Sequence, residues 1–249
     1  MKKKILVTRK LLPENEEKLR ELFDVKLNSK DELYTSEKIL DLSKDCDGIL
    51  SAITDQITKD LIEKISPSVK IIANFAVGFG NIDIDAATKR NIVVTNTPEV
   101  LDDSTADISI LLLLGASRKV LEARRAAELQ NWKWSADFML GKQMSNKRLG
   151  ILGMGRIGRA VAKRARGFNM EIHYHNRSQL SKDLEEGAIY HKTVKDLFNC
   201  SDFLSINCPA TKETNKIINK ETIAFLPDNV VIGNAARGDV VDDEAMIEA

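Results

Sequence analysis

Leu149-Gly150-Ile151-Leu152-Gly153-Met154-Gly155-Arg156-Ile157-Gly158 decides the fold. An apolar run enters Gly-x-Gly-x-x-Gly and passes directly into a helical pattern, with Ile157, Val161, Ala165 and Phe168 on one face. Met170 to His175 supplies a second β-rich run. Strand, glycine turn, helix and strand in that order form a dinucleotide-binding βαβ unit. Gly153 allows the tight turn, Gly155 a close approach of backbone to pyrophosphate, and Gly158 close seating of the helix on the sheet, while the helix N-terminus offers N–H groups to phosphate. Glycine spacing alone is weak evidence, and a βα turn holding no ligand is the alternative; the flanking periodicities favour the pocket.

Working outward, short β-rich runs alternate with amphipathic helices: strand Lys4–Thr8, helix Glu14–Phe23, strand Val25–Leu27, helix Ser36–Leu42, strand Gly48–Ala52, helix Thr58–Ile65, then strands Lys70–Phe75 and Ile92–Thr95. Such alternation predicts an α/β fold with parallel sheets. Asn96-Thr97-Pro98 interrupts it, and one long helix is expected from a cap at Asp102, Asp103 or Ser104 to about Leu129, closed by Trp132 and Trp134. Beyond the glycine unit come a strand over Asp202–Asn207, a helix over Lys220–Phe225 and a strand over Val230–Gly233. Two doubly wound domains are expected, 1–100 and 101–249, meeting at a hinge without a flexible linker.

Lys+Arg and Asp+Glu are 37 each in 249 residues, so no net field favours nucleic acid or an anionic membrane. The longest apolar stretch, Ile108 to Ala116, is far too short to span a bilayer and reads as a buried helix. Cys46, Cys200 and Cys208 fit neither a disulfide framework nor zinc-ligand spacing, and no export signal is present, so a reducing, cytoplasmic setting and no metal are expected.

At the end of the second strand, where an acidic residue would accept from the ribose of NAD, stands Asn176-Arg177-Ser178. Arg177 can pair with a 2′-phosphate and its two neighbours can donate to it, which favours NADP over NAD; a solvated loop arginine is the alternative. Arg237 falls at the carboxyl end of a later strand, where ligands of parallel sheets gather. Its planar fork suits a 2-oxo acid, and pairing with Asp239 or Asp242 is the bland alternative.

Gly153–Gly158, Asn176-Arg177-Ser178, Asn207-Cys208-Pro209 with Thr211 and Thr214, Asn234 to Asp242, Ala76-Val77-Gly78-Phe79-Gly80-Asn81-Ile82-Asp83 and Asn96-Thr97-Pro98 together resemble the D-isomer-specific 2-hydroxyacid dehydrogenases, glyoxylate/hydroxypyruvate reductases most of all. Gly80 departs from the pattern, since many members carry an acidic residue there. The resemblance implies a flavodoxin-like substrate domain and a Rossmann NAD(P)-binding domain. It implies that amides around Val77 and Gly78 hold the substrate carboxylate and that Arg237 orients the 2-oxo group. On the cofactor side it implies Thr105 near the phosphates, Met154, Gly155, Arg156 and Ile157 around the pyrophosphate, Asn176 to Ser178 at the adenosine end, Cys208 and Pro209 by the adenine, Ala235 by the nicotinamide, and Thr214 and Ala236 as further cofactor-binding residues. A homodimer is also implied.

Reduction of a 2-oxo acid needs a proton donor, and a guanidinium stays protonated. His173, His175 and His191 lie toward the adenosine end, far from the expected carbonyl position. In the family the acid is a histidine held by a glutamate, both further along than residue 249, and the helix opening at Asp242 stops without a C-cap. The expectation is therefore a reductase truncated at its C-terminal end and inactive over residues 1–249, with a non-catalytic dinucleotide binder, or another member such as a phosphoglycerate dehydrogenase, as the alternative.

Overall fold

A computed structural model describes residues 1–130 and 132–249. The chain divides into two compact units, Met1–Val100 and Leu101–Ala249. The first alternates β1 (Lys4–Val7), α1 (Pro13–Leu22), β2 (Asp24–Lys26), α2 (Ser36–Leu42), β3 (Gly48–Ala52), α3 (Lys59–Lys64), β4 (Ile71–Phe75), α4 (Ile84–Lys89) and β5 (Val93–Thr95). Its five strands are parallel in the order β2-β1-β3-β4-β5, the flavodoxin-like winding. Thr35, Thr58 and Asp83 cap α2, α3 and α4 by accepting from backbone N–H groups of the first turn. Leu6, Ile39, Ile49, Ile57, Ile62, Ile65 and Ile72 form the core between sheet and helices.

The second unit runs α5 (Asp102–Ser117), α6 (Val120–Glu128), β6 (Arg148–Leu152), α7 (Arg156–Arg166), β7 (Glu171–His175), α8 (Lys182–Glu185), β8 (Ile189–Tyr190), α9 (Val194–Asn199), β9 (Phe203–Ile206), α10 (Lys220–Ile223), β10 (Val231–Asn234) and α11 (Asp243–Glu248). Its parallel sheet is ordered β10-β9-β6-β7-β8, which read from β8 is the Rossmann order. Alternation along the strands builds a core on each face. Leu149 and Ile151 join Val161, Ala165 and Leu113 on one side, and Leu152 joins Leu197, Phe198 and Ile218 on the other.

The long helix expected from residue 102 to 129 is two helices. The N–H of Lys142 takes the Ser117 carbonyl at 2.8 Å, so that carbonyl has left the helical ladder. Lys119 then turns left-handed at φ 52°, and α6 starts afresh at Val120. Nor does Asp102, Asp103 or Ser104 cap α5. Leu101 occupies that position without a side-chain bond, and the Ser104 hydroxyl donates to the Leu101 carbonyl at 3.1 Å. The helix through Ile108–Ala116 is not buried all round, because Ile110 and Leu113 pack inward while Ile108, Leu111 and Leu112 are exposed. Among the described residues no helix is long and apolar enough to cross a membrane.

Candidate functional site

In the second unit, parallel pairing brings the carboxyl ends of β7, β6, β9 and β10 to one edge of one sheet. Asn176–Ser178, the glycine turn, Cys208–Pro209 and Ala235–Arg237 therefore follow one another along about 14 Å of that edge, at strand spacings of about 4.8 Å. The reversal of strand order between β6 and β9 falls in the middle of this line, which is where open α/β sheets bind ligands.

The three glycines have three different surroundings. Gly153 adopts φ +97°, and a Cβ on it would lie 2.6 Å from the Cys208 amide nitrogen. A Cβ on Gly158 would stand 2.3 Å from the Gly153 carbonyl oxygen, so α7 can rest on the turn only without one. A Cβ on Gly155 would meet nothing within 4 Å. Two glycines thus serve packing, and the third faces open space at the start of α7, where the N-cap is Gly155 itself and supplies no side-chain cap. Beside the turn, the buried Oδ1 of Asn207 has no hydrogen-bond partner among the described residues, while its Nδ2 donates to Ser205 at 3.0 Å. An open cradle of donors and an orphaned acceptor at the switch point fit a dinucleotide.

Several residues do work that spacing did not show. Met154 is buried, and its N–H donates to Asn176 Oδ1 at 2.7 Å, so Asn176 ties the end of β7 to the glycine turn. Arg177 and Ser178 are exposed. The carboxyl group of Glu213 is held below its ordinary range, chiefly by the Thr211 hydroxyl and more weakly by the charge of Arg177. The Thr214 hydroxyl donates to the Pro209 carbonyl at 2.6 Å and accepts from the Thr211 amide at 2.7 Å, which closes the loop after Cys208. Burial pushes the Cys208 thiol up to about 11, so it stays neutral. Thr105 is half-buried in the first turn of α5.

Arg237 is exposed at the end of β10, and its Nη1 donates to the Ala236 carbonyl at 2.8 Å. The alternative pairing with Asp239 or Asp242 is not formed. Asp242 instead accepts from Lys216 at 3.1 Å and caps α11. Asn234 shapes the loop, accepting from the Ala236 amide at 2.9 Å and donating to the Arg237 carbonyl at 2.8 Å.

The first unit holds a second arrangement, after β4. Three successive carbonyls are taken from within: Ala76 by the Thr97 amide at 2.9 Å, Val77 by Asn96 Nδ2 at 2.8 Å, and Gly78 by Asn74 Nδ2 at 2.9 Å. The N–H groups of Val77 and Gly78 donate to no group among the described residues. Two consecutive N–H groups without acceptors can donate to an anion. Asn74 was missed by sequence reasoning, although a buried asparagine within the apolar run Ile71-Ile72-Ala73-Asn74-Phe75 is itself a signal. Ser51 fixes its Oδ1 at 3.1 Å.

Residues 110–249 match the model of the D-isomer specific 2-hydroxyacid dehydrogenase NAD binding domain. The chain belongs to that family. It is 38% identical over 254 residues to a glyoxylate reductase of Pyrococcus horikoshii, covering all of this chain and 76% of that one. It is 37% identical over 251 residues to a glycerate dehydrogenase of Hyphomicrobium methylovorum, covering all of this chain and 78% of that one. The solved structure of a glyoxylate reductase from Paecilomyes thermophila superposes with a TM-score of 0.86 at 35% identity, over all of this chain and 77% of that one. Membership in this dehydrogenase family gives the chain a nicotinamide dinucleotide as its class of cofactor.

Proposed function

We propose that the chain binds NADPH, with NADH as the weaker alternative, and serves the reduction of a small 2-oxo acid of the glyoxylate or hydroxypyruvate class to its D-2-hydroxy acid. The observation that carries this reading is a pair of openings: the space at Gly155, where α7 starts at the end of β6, and the Val77 and Gly78 amides, which donate to no group among the described residues while their carbonyls are engaged. Unit 101–249 serves the cofactor, and unit 1–100 the substrate carboxylate. The glycine turn seats the pyrophosphate at Gly155 and the start of α7, and Arg177 with Ser178 takes the 2′-phosphate. Thr105, Cys208, Pro209, Thr214, Ala235 and Ala236 complete the cofactor's surroundings. The bound cofactor supplies hydride. Arg237, with no carboxylate partner among the described residues, polarises the 2-oxo group and stabilises the developing alkoxide.

A guanidinium does not supply the proton. His173 and His191 are hydrogen-bonded to each other at 2.9 Å, and His175 Nδ1 is bonded to the His191 carbonyl at 2.9 Å, all on the β7–β8 side of the sheet. Residues 1–249 therefore bind cofactor while turning over glyoxylate negligibly. Calorimetric titration with NADPH and NADH tests the cofactor assignment: NADPH binds at least about tenfold more tightly, and Arg177→Ala abolishes the difference. NADH binding as tight as NADPH sinks the phosphate assignment, and brisk NADPH oxidation by residues 1–249 sinks the assignment of the histidines.

A further inference from the structure

On the far side of the Rossmann-type sheet, three side chains from three elements converge. His173 is on β7, His191 follows β8, and Cys200 ends α9. Their separations in sequence, 18 and 9 residues, match no metal-ligand spacing. In space His173 Nδ1 lies 2.9 Å from His191 Nε2, and Cys200 Sγ lies 3.5 Å from that same nitrogen. All three donor atoms fall within 4.8 Å of one another.

Hydrogen-bond roles can be assigned along the cluster. Glu171 Oε1 is 2.6 Å from His173 Nε2, and a carboxylate only accepts, so Nε2 carries the proton and Nδ1 of the neutral ring presents its lone pair inward. The Cys200 thiol donates outward to the Leu197 carbonyl at 3.1 Å, which leaves sulfur lone pairs facing the cluster. The proton on His191 Nε2 is then shared between a nitrogen and a sulfur acceptor. Two lone pairs thus face the one exchangeable proton on His191 Nε2. That is the arrangement of a metal site in which a proton holds the place of the ion.

We propose that His173 Nδ1, His191 Nε2 and Cys200 Sγ bind one divalent ion of the zinc class. Zinc–nitrogen bonds of about 2.0–2.1 Å and a zinc–sulfur bond of about 2.3 Å put tetrahedral donors about 3.3 Å (N···N) and 3.6 Å (N···S) apart, so the two contacts of His191 open by a few tenths of an ångström, and the gap from His173 to Cys200, within 4.8 Å, closes by at most about 1.2 Å. One imidazole and one thiolate beside a second imidazole are borderline-soft ligands, which select zinc or cobalt over magnesium or calcium. Glu171 on the outer nitrogen of His173 is the carboxylate–histidine support that fixes tautomer and ring orientation in metal sites. His191 and Cys200 are partly exposed, so a water can fill the fourth position. Binding balances as follows: the Cys200 thiol loses its proton to solvent, and His191 gives up its Nε2 proton while taking one at Nδ1, which makes no hydrogen bond among the described residues. The ion would join β7, the segment after β8 and the end of α9.

The test is metal uptake by the purified, chelator-stripped chain, using Zn2+ for stoichiometry and Co2+ for spectroscopy. One zinc per chain is expected after dialysis, with a higher unfolding temperature. Cobalt gives the near-ultraviolet thiolate charge-transfer band and intense visible bands of a tetrahedral site. Cys200→Ser removes the charge-transfer band, His191→Gln weakens uptake at least about tenfold, and Cys46→Ala changes neither; near-ultraviolet circular dichroism checks that each variant is folded. Substoichiometric uptake by the unaltered chain, or a cobalt spectrum unchanged in Cys200→Ser, overturns the proposal and leaves the trio as a hydrogen-bonded cluster.

Discussion

Replacing Gly155 by alanine separates a glycine kept for ligand approach from one kept for packing. At Gly155 the backbone is extended, with φ −78° and ψ −155°, and a new methyl group meets nothing within 4 Å. Stability should therefore stay within about 0.5 kcal/mol, or rise slightly as the unfolded chain loses freedom. The same methyl group would stand where the pyrophosphate must approach the first-turn amides, and a loss of at least about tenfold in NADPH affinity, about 1.4 kcal/mol, is expected. Gly158→Ala provides the contrast. Its Cβ would lie 2.3 Å from the Gly153 carbonyl oxygen and 3.2 Å from Ile151 Cγ2, so α7 must lift from the turn by roughly 1 Å. Overpacking of that kind costs about 1–3 kcal/mol, which lowers the unfolding temperature by several degrees in a chain of this size. Fluorescence titration with NADPH and thermal unfolding of the two variants give the comparison. If Gly155→Ala binds NADPH as the unaltered chain does, the open space at Gly155 is not the pyrophosphate seat.

Other perturbations address neighbouring parts of the second unit. Arg148 donates to Asp202 through Nε and Nη2, at 3.0 Å each, and holds its carboxyl at about 2, below the ordinary 3.8. That depressed value contributes about 2 kcal/mol above pH 4, lost as pH falls from about 4 to 2, so urea unfolding of Asp202→Asn should show the deficit at pH 7 and little of it at pH 2. The buried Tyr174 hydroxyl donates to Glu185 at 2.6 Å and accepts from the Leu180 amide at 3.0 Å. Tyr174→Phe orphans that amide and should cost about 2 kcal/mol in the same assay; a change under 0.5 kcal/mol would show that water replaces the hydroxyl. Asn176→Asp keeps an acceptor for the Met154 amide but adds a negative charge at the end of β7, so the NADPH-to-NADH affinity ratio should fall at least about tenfold by calorimetry. An unchanged ratio would place the adenosine end elsewhere.

Much of the frame was legible because it rests on local periodicity. Ser36–Leu42 and Gly48–Ala52 have the bounds their sequences predict, and the winding of both sheets follows from βα alternation. What escaped depends on partners distant in sequence. The break after Ser117 is made by an amide at residue 142, and nothing in the Ser117-Arg118-Lys119 triplet announces it. The two-residue strand Ile189–Tyr190 is too short to show a period and exists by pairing with β7. Arg237, Arg177 and the three glycines could be singled out from type and spacing, but the task of Asn176 could not. Both its position after a strand and its polarity suit ligand contact, and only the 2.7 Å bond to Met154 shows its carbonyl oxygen committed to the turn.

The loop from Ala76 to Gly78 carries one more consequence. With each carbonyl held by Thr97, Asn96 or Asn74, its peptide dipoles cannot swing to follow an incoming charge. Their positive ends are aimed during folding, so an anion bound as proposed would meet a field already in place, with no reorganisation opposing its arrival. A field of that kind senses charge and the geometry of two oxygens, and is indifferent to the rest of the molecule. Discrimination among acids that share a carboxylate must then come from other walls, which can change without disturbing this one.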